Sequence, residues 1–271
     1  MKTRLVVAMT AVMVAAAVSV WAAGAVRLRV NVKPGESWTY RVTVQNSGTI
    51  AGPQGTQPMN STMAMTYRMV VEKKLPNGEY RMKVVPSSQT MSMNGQTMRH
   101  AQPEQLKPMS FILSPTGKTR PLGDVGGPEA ASMTNIMSAV FPDKPVKVGD
   151  TWKMTQDLPM GGGGKVTVTS TNRLVALTGN TAKVETKFSA PLSGGPPGSQ
   201  GRGMTGTMEG TITSELMLPS GMMKSASGQI RMKSKMTVPG PPSGQGGPPK
   251  PQTMNMDMRV SVKSVLVRSG K

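Results

Sequence analysis

Met254-Asn255-Met256-Asp257-Met258-Arg259-Val260-Ser261-Val262 places an apolar side chain at every second position. Successive side chains of a strand point to opposite faces, so this run reads as a β-strand with one buried and one wet face. The same period recurs upstream. Tyr40, Val42 and Val44 alternate with Arg41, Thr43 and Gln45, and Met63, Met65, Tyr67 and Met69 alternate with Ala64, Thr66 and Arg68. Turn chemistry separates the runs: Pro76-Asn77-Gly78, Pro115-Thr116-Gly117, Gly179-Asn180 and Pro219-Ser220-Gly221. Asn and Gly tolerate the positive φ that tight hairpins need, so each is a hairpin signal and the whole reads as an antiparallel meander.

Only one segment carries a helical period. Met133, Ile136, Met137 and Val140 fall at i, i+3, i+4 and i+7, with Pro128 and Glu129 suited to a first turn and Pro142 to a stop. A short helix over 128–141 is therefore expected to pack on the sheet. It divides two halves, 26–127 and 143–271, each opened by a related motif. Lys33-Pro34-Gly35-Glu36-Ser37-Trp38 is echoed by Lys147-Val148-Gly149-Asp150-Thr151-Trp152. In both copies the Gly-acid pair makes a turn and the Trp is the first large inward side chain of a strand, suited to anchoring a core or stacking on a ligand. Three segments rich in Gly, Pro, Gln and Ser, at 51–58, 194–203 and 240–251, read as loops without assigned structure, each followed by a Met-rich strand.

The N-terminus reads as a cleaved secretory signal peptide, residues 1–25. Lys2 and Arg4 precede an uncharged apolar run from Leu5 to Val20, and Ala23-Gly24-Ala25 offers a cleavage site before Val26. No second stretch is long enough to span a membrane, so the mature chain is expected to be secreted or periplasmic and not an integral membrane protein. Thirty-two Lys and Arg against 13 Asp and Glu give a formal charge of +19. Removing Lys2 and Arg4 leaves 30 against 13, or +17. The charge is scattered along strands, including Arg68, Lys83, Arg231, Lys233, Arg259 and Lys263, as on the solvated face of a sheet. Basic runs and stacking aromatics of the nucleic-acid-binding type are missing, which argues against a nucleic-acid partner and leaves an anionic envelope polymer or lipid surface as the charged partner to consider.

The chain has no Cys and one His, His100. That removes disulfides, thiolate metal sites, thiol nucleophiles and a lipid-bearing cysteine, and no cofactor is expected. Enzyme motifs fail on context. Gly201-Arg202-Gly203-Met204-Thr205-Gly206 has dinucleotide-loop spacing but precedes a strand, and Gly161 to Gly164 with Lys165 lacks the phosphate-loop Ser or Thr. Catalytic residues are accordingly not assigned, and the chain is read as a non-enzyme.

Methionine is the chemical oddity, at 26 of 271 residues with only nine aromatics. Met-x-Met spacings at Met63 with Met65, Met91 with Met93, and Met254, Met256 and Met258 could offer soft thioethers to Cu(I). The simpler reading is an adaptable apolar core or cavity lining.

The signal peptide, the two Gly-acid-x-Trp strand openers, the Ser114-Pro115-Thr116-Gly117-Lys118 hairpin and the Pro-ended central helix look like exported bacterial β-proteins of uncharacterised families. In layout the chain is similar to the LolA/LppX lipoprotein-carrier half-barrel. That resemblance implies a curved antiparallel sheet sheltering an apolar ligand, although the lipid-anchoring cysteine of some members is missing.

The expectation is thus a mainly β mature domain, 26–271, curved as a half-barrel or open barrel around the central helix. Its expected function is to bind an apolar or amphiphilic ligand, such as a lipid, in a Met-lined concavity. The candidate ligand-facing residues are Trp38, Met63, Met65, Met69, Met133, Met137, Trp152, Met254, Met256 and Met258. A structural or adhesive role through the basic face and Cu(I) binding are the alternatives.

Overall fold

The computed structural model describes residues 24–53, 55–101, 107–122, 140–159, 165–194, 203–239 and 251–270. Twelve strands form one antiparallel sheet: β1 (Ser37–Gly52), β2 (Gly55–Lys74), β3 (Tyr80–Met93), β4 (Gln96–Ala101), β5 (Met109–Leu113), β6 (Thr119–Pro121), β7 (Thr151–Pro159), β8 (Lys165–Thr178), β9 (Thr181–Gly194), β10 (Gly203–Met217), β11 (Met223–Pro239) and β12 (Pro251–Gly270). The order across it is β6-β5-β3-β2-β1-β12-β11-β10-β9-β8-β7, with β4 pairing β3. Almost every pairing joins strands adjacent in sequence, as the turn signals imply. The exceptions are β3 with β5, which skips β4, and β1 with β12, which locks the first long strand to the last, from Ser37 opposite Gly270 to Ala51 opposite Asn255.

The central helix requires correction. The described residues contain no helix and form an open antiparallel sheet, and most of the expected segment, residues 128–139, lies outside them. Its last residues have no helical role. The Phe141 N–H donates to the Thr116 carbonyl at 2.8 Å, and the Val140 carbonyl accepts the Trp152 indole N–H at 3.0 Å. A helix this short has little stability of its own, so tertiary partners decide the outcome, and here they claim these backbone groups. The expected signal peptide is outside the described residues up to position 23.

The repeated motif is reproduced in its hydrogen bonds. In the first copy the Gly35 N–H donates to the Val71 carbonyl, the Val71 N–H to that of Glu36, and the Lys33 N–H to Glu36 Oε2 at 2.9 Å. In the second the Gly149 N–H donates to Leu174, the Leu174 N–H to Asp150, and the Lys147 N–H to Asp150 Oδ2 at 2.8 Å. Both glycines have positive φ, 88° and 99°, which is why the motif demands glycine there. The carboxylate needs only to reach back three residues, so Glu and Asp both serve.

One end of the sheet is closed by packing. The Val30 N–H donates to the Pro115 carbonyl, in the β5–β6 turn, and the Asn31 N–H to that of Ser220, in the β10–β11 turn. Six steps separate β5 from β10 in the sheet order, or roughly 29 Å if flat at about 4.8 Å per strand. Adjacent residues cannot span that distance, so the sheet curls. Coil residues then stitch its two edges together: Phe141 and Val140 join the β5–β6 turn to Trp152 of β7, and Val26 bridges Val146. Inside the curl Leu28, Val30 and Val32 pack with Tyr40, Tyr67, Tyr80, Met82, Leu174 and Leu216, the last six each no more than 1% exposed.

The hairpin joining β1 to β2 differs from expectation. Residues 51, 52 and 55–58 form strand ends, with Gly52 opposite Gly55 and Gly55 at φ 101°. Glycine at a tight turn, set between two long paired strands, costs less order than the composition alone suggests. Segments 195–202 and 240–250 lie outside the described residues.

Candidate functional site: the methionine face

Strand register places the candidate residues on one face. On β1, Trp38, Tyr40, Val42 and Val44 stand opposite Met69, Tyr67, Met65 and Met63 of β2, and Met63 is opposite Met91 of β3. On the other side of β1, Val44 pairs with Val262, while Gly48 and Ile50 pair with Met258 and Met256. A period of two carries this parity along every strand, so Trp38, Met63, Met65, Met69, Met254, Met256 and Met258 share the face that holds the core. Trp152 is packed against the same core from β7. Met133 and Met137 lie outside the described residues.

These residues do not share one environment. Trp38, Met65 and Met69 are 4 to 5% exposed and fill the packed end. Met63, Met254 and Met256 are only half-buried, as are Met59, Met91 and Met93 towards the ends of β2 and β3. Trp152 is half-buried too and borders a depression formed with Pro142, Val146 and Asp150. The question of cavity against core is answered by position: filled core where the segment 24–32 crosses the sheet, partly uncovered methionine where it does not.

Beyond that segment, β10, β11 and β12 carry a lattice of methionines. Met204 is opposite Met236, which is opposite Met254; Gly206 is opposite Ser234, which is opposite Met256; Met208 is opposite Met232, which is opposite Met258. Seven of these nine positions are methionine. Met204, Met208 and Met232 also pack on a small second core of Val166, Ala190 and Leu192. Met208, Met232 and Met236 are not among the residues singled out from the sequence. Their signal was present, since Ile230, Met232, Ser234 and Met236 alternate with Arg231, Lys233 and Lys235.

Two buried polar features mark this face. Tyr40 and Tyr67 lie with ring centroids 5.5 Å apart; the Tyr40 hydroxyl donates to the Met223 carbonyl, whereas Tyr67 Oη has no hydrogen-bond partner among the described residues. Burial raises both phenols well above the ordinary tyrosine range, and the neighbouring Tyr40 raises Tyr67 further. Ser234 and Ser264, 5% and 3% exposed, also have unpartnered hydroxyls.

The opposite face is polar. An open groove of about 830 Å³ is lined by Lys187, Arg231, Arg259 and Glu209 with Ser47, Thr169, Thr171, Thr211 and their neighbours. Arg231 donates to Asp257 Oδ2 at 2.9 Å, and this hydrogen bond holds the Asp257 carboxyl below its usual range. Sequence reading placed Arg231 and Arg259 on a wet face, but the groove draws on six strands, β1 and β8 to β12.

Among the described residues no group of three or more His, Cys, Asp or Glu could hold a metal, and no helix is long and apolar enough to cross a membrane. No curated protein matches the chain. Residues 127–220, about a third of the chain running from before Pro128 to the turn at Ser220, match DUF6263, a family of unknown function.

Proposed function

We propose that this is an exported envelope protein that holds an apolar or amphiphilic molecule against the methionine face of its sheet and performs no chemistry on it. One observation carries the reading: methionines recur on the inner face of β2 and β10 to β12 after the covering segment 24–32 has ended, interrupted by polar Asn46, Ser61 and Ser234. Met59, Met63, Met254 and Met256 remain half-buried there, and Met236 is 37% exposed. Partly uncovered methionines gathered on one face favour a partner that covers them, and methionine, flexible and polarizable, adapts to ligands of irregular shape. The signal-like N-terminus and the layout similar to the LolA/LppX half-barrel support the envelope location in this proposal.

Native mass spectrometry of the protein purified from its own envelope tests it. The expected result is a bound lipid-sized mass lost on organic extraction; a uniformly clean apo mass would count decisively against the proposal.

The polar groove favours a second reading, adhesion to an anionic envelope polymer or lipid surface, because Lys187, Arg231 and Arg259 outnumber Glu209 there. Retention on anionic vesicles or cell wall that weakens at moderate salt is its expected signature.

A further inference from the structure

We propose that the centre of the β10–β12 methionine lattice is a binding site for a soft monovalent cation, Cu(I), held by the thioethers of Met232, Met236 and Met256. This goes beyond the apolar-ligand reading and can fail independently of it.

The site begins with a pair of small residues. Gly206 and Ser234 are directly opposite one another in the middle of the lattice, so two adjacent positions lack long side chains while every position around them on the three strands is methionine. Gly206 admits no larger residue, because an added Cβ would come 2.9 Å from the Ser234 Cβ and closer still to the Lys233 carbonyl. Ser234 forms the floor. It is 5% exposed, and its Oγ has no partner among the described residues, an arrangement that costs about 1 to 3 kcal/mol when nothing compensates it. Neighbouring side chains already cover this serine, and on β11 and β12 those in register around it are Met232, Met236 and Met256.

Geometry selects the three methionines. Met232 and Met236 lie two residues either side of Ser234 on β11, on the same face, about 7 Å from it along the strand. Met256 stands opposite it on β12, at roughly 5 Å between Cβ atoms. Three rotatable bonds in each side chain allow the sulfurs to lean inward over the serine. Met236 is 37% exposed, which provides an entry path from the uncovered end.

The chemistry selects the ion. Thioethers are soft, uncharged ligands that favour Cu(I) over Zn, Mg or Ca, and the chain has no cysteine to compete. Leu or Ile would supply the same hydrophobicity with less side-chain entropy to lose on burial, so repeated methionine in one lattice points to a use for sulfur. Binding involves no change of oxidation state; a hydrated or chelated Cu(I) exchanges its ligands for three thioethers.

Anaerobic titration of the intact protein with Cu(I), against bicinchoninate as competitor, is the test. One equivalent is expected to bind, and M232L/M236L/M256L should lower the affinity by about 100-fold. M154L, on the edge strand β7, should leave it unchanged. In the unsubstituted protein with labelled methionine methyls, Cu(I) should shift the resonances of Met232, Met236 and Met256 selectively, a readout independent of how the variants fold. No uptake at micromolar metal, undiminished uptake by the triple variant, or shifts spread evenly over all methionines would overturn the proposal. Leucine keeps the face apolar, so a co-purified lipid retained by the triple variant while Cu(I) is lost separates the two functions.

Discussion

The same strands have very different surroundings at their two ends. β12 contributes Val262 and Ser264, both buried, where the sheet curls over residues 24–32, and half-buried Met254 and Met256 where it extends past them. β2 repeats the contrast, with Tyr67 and Met69 at one end and Met59 and Met63 at the other. Alternation is unbroken along both strands. It identifies the face, but what covers that face is decided by the chain segments that cross it. The packed end is closed by two stretches of coil, 24–32 and 140–146, rather than by strand pairing, which leaves the face open beyond their reach.

Truncating side chains is the most direct way to break this comparison. Met82→Ala removes a fully buried side chain at the packed end and is expected to cost about 3 kcal/mol in urea denaturation, within the usual range for a buried methionine. Met204→Ala, half-buried at the open end, should cost less than about 1 kcal/mol. Equal losses would mean that the open end is covered as well as the packed one.

Glycine substitutions sharpen the same distinction with a smaller effect. Gly221 has φ 68°, and an added Cβ would run into the Arg29 carbonyl and reach 3.0 Å from the Val30 Cα. Gly221→Ala should therefore cost about 2 kcal/mol and loosen the segment that caps the core, seen as faster hydrogen exchange at Val30 and Asn31. Gly55, in the open-end hairpin, has φ 101° with nothing within 4 Å of an added Cβ. Gly55→Ala carries backbone strain alone, about 1 kcal/mol, without a change in exchange at Val30.

The two ends should also respond to opposite extremes of pH, the smallest effect of the three. Tyr40 and Tyr67 keep their protons in the folded state well above the ordinary range because burial penalises the phenolate. The unfolded chain releases those protons from about pH 10, so above it the unfolded state binds fewer protons and stability falls as pH rises towards the folded-state values. At the open end Asp257 is held low by its hydrogen bond from Arg231. Its contribution is present above about pH 4 and is lost as pH falls through the lowered folded value. Because Asp257 is solvent-exposed the acid loss should be slight. Melting temperatures across pH check both limbs; Tyr67→Phe, which removes an unpartnered hydroxyl, should flatten the alkaline limb at little cost near neutrality. An acid limb steeper than the alkaline one would reverse the assignment.

Much of the fold was legible because its signals are local. The hairpin turns at Asn77-Gly78, Gly117, Gly179-Asn180 and Gly221 depend on φ preferences of the residues themselves, and four of those glycines have positive φ, at 82°, 83°, 54° and 68°. The duplicated turn was legible for the same reason. The Asn94-Gly95 turn between β3 and β4, with φ of 50° and 84°, carries an equally strong local signal that the hydrophobic pattern around it obscured. The helix expected over 128–141 is not found among the described residues; at its end the Phe141 N–H donates to the Thr116 carbonyl, a partner 25 positions away that a four-residue apolar stripe does not encode. Parity along each strand puts Met63, Met65, Met254, Met256 and Met258 on one face, and that much follows from the alternating pattern. Their division into core and open face was not readable, since Met65 and Met63 differ only in how far along β2 they lie from residues 24–32.

By itself, then, the sequence determined the strand periodicity, the turn positions, the side of the sheet on which methionine would gather and the absence of thiol chemistry, because each depends on a residue and its near neighbours. Tertiary structure alone decided the pairing of β1 with β12, the curl that brings the Pro115 and Ser220 turns within reach of adjacent residues, and the three-strand registry that surrounds Ser234 with methionine. Those features bring together residues far apart in the chain, and their positions follow from how the strands align and what crosses them, which no local pattern encodes.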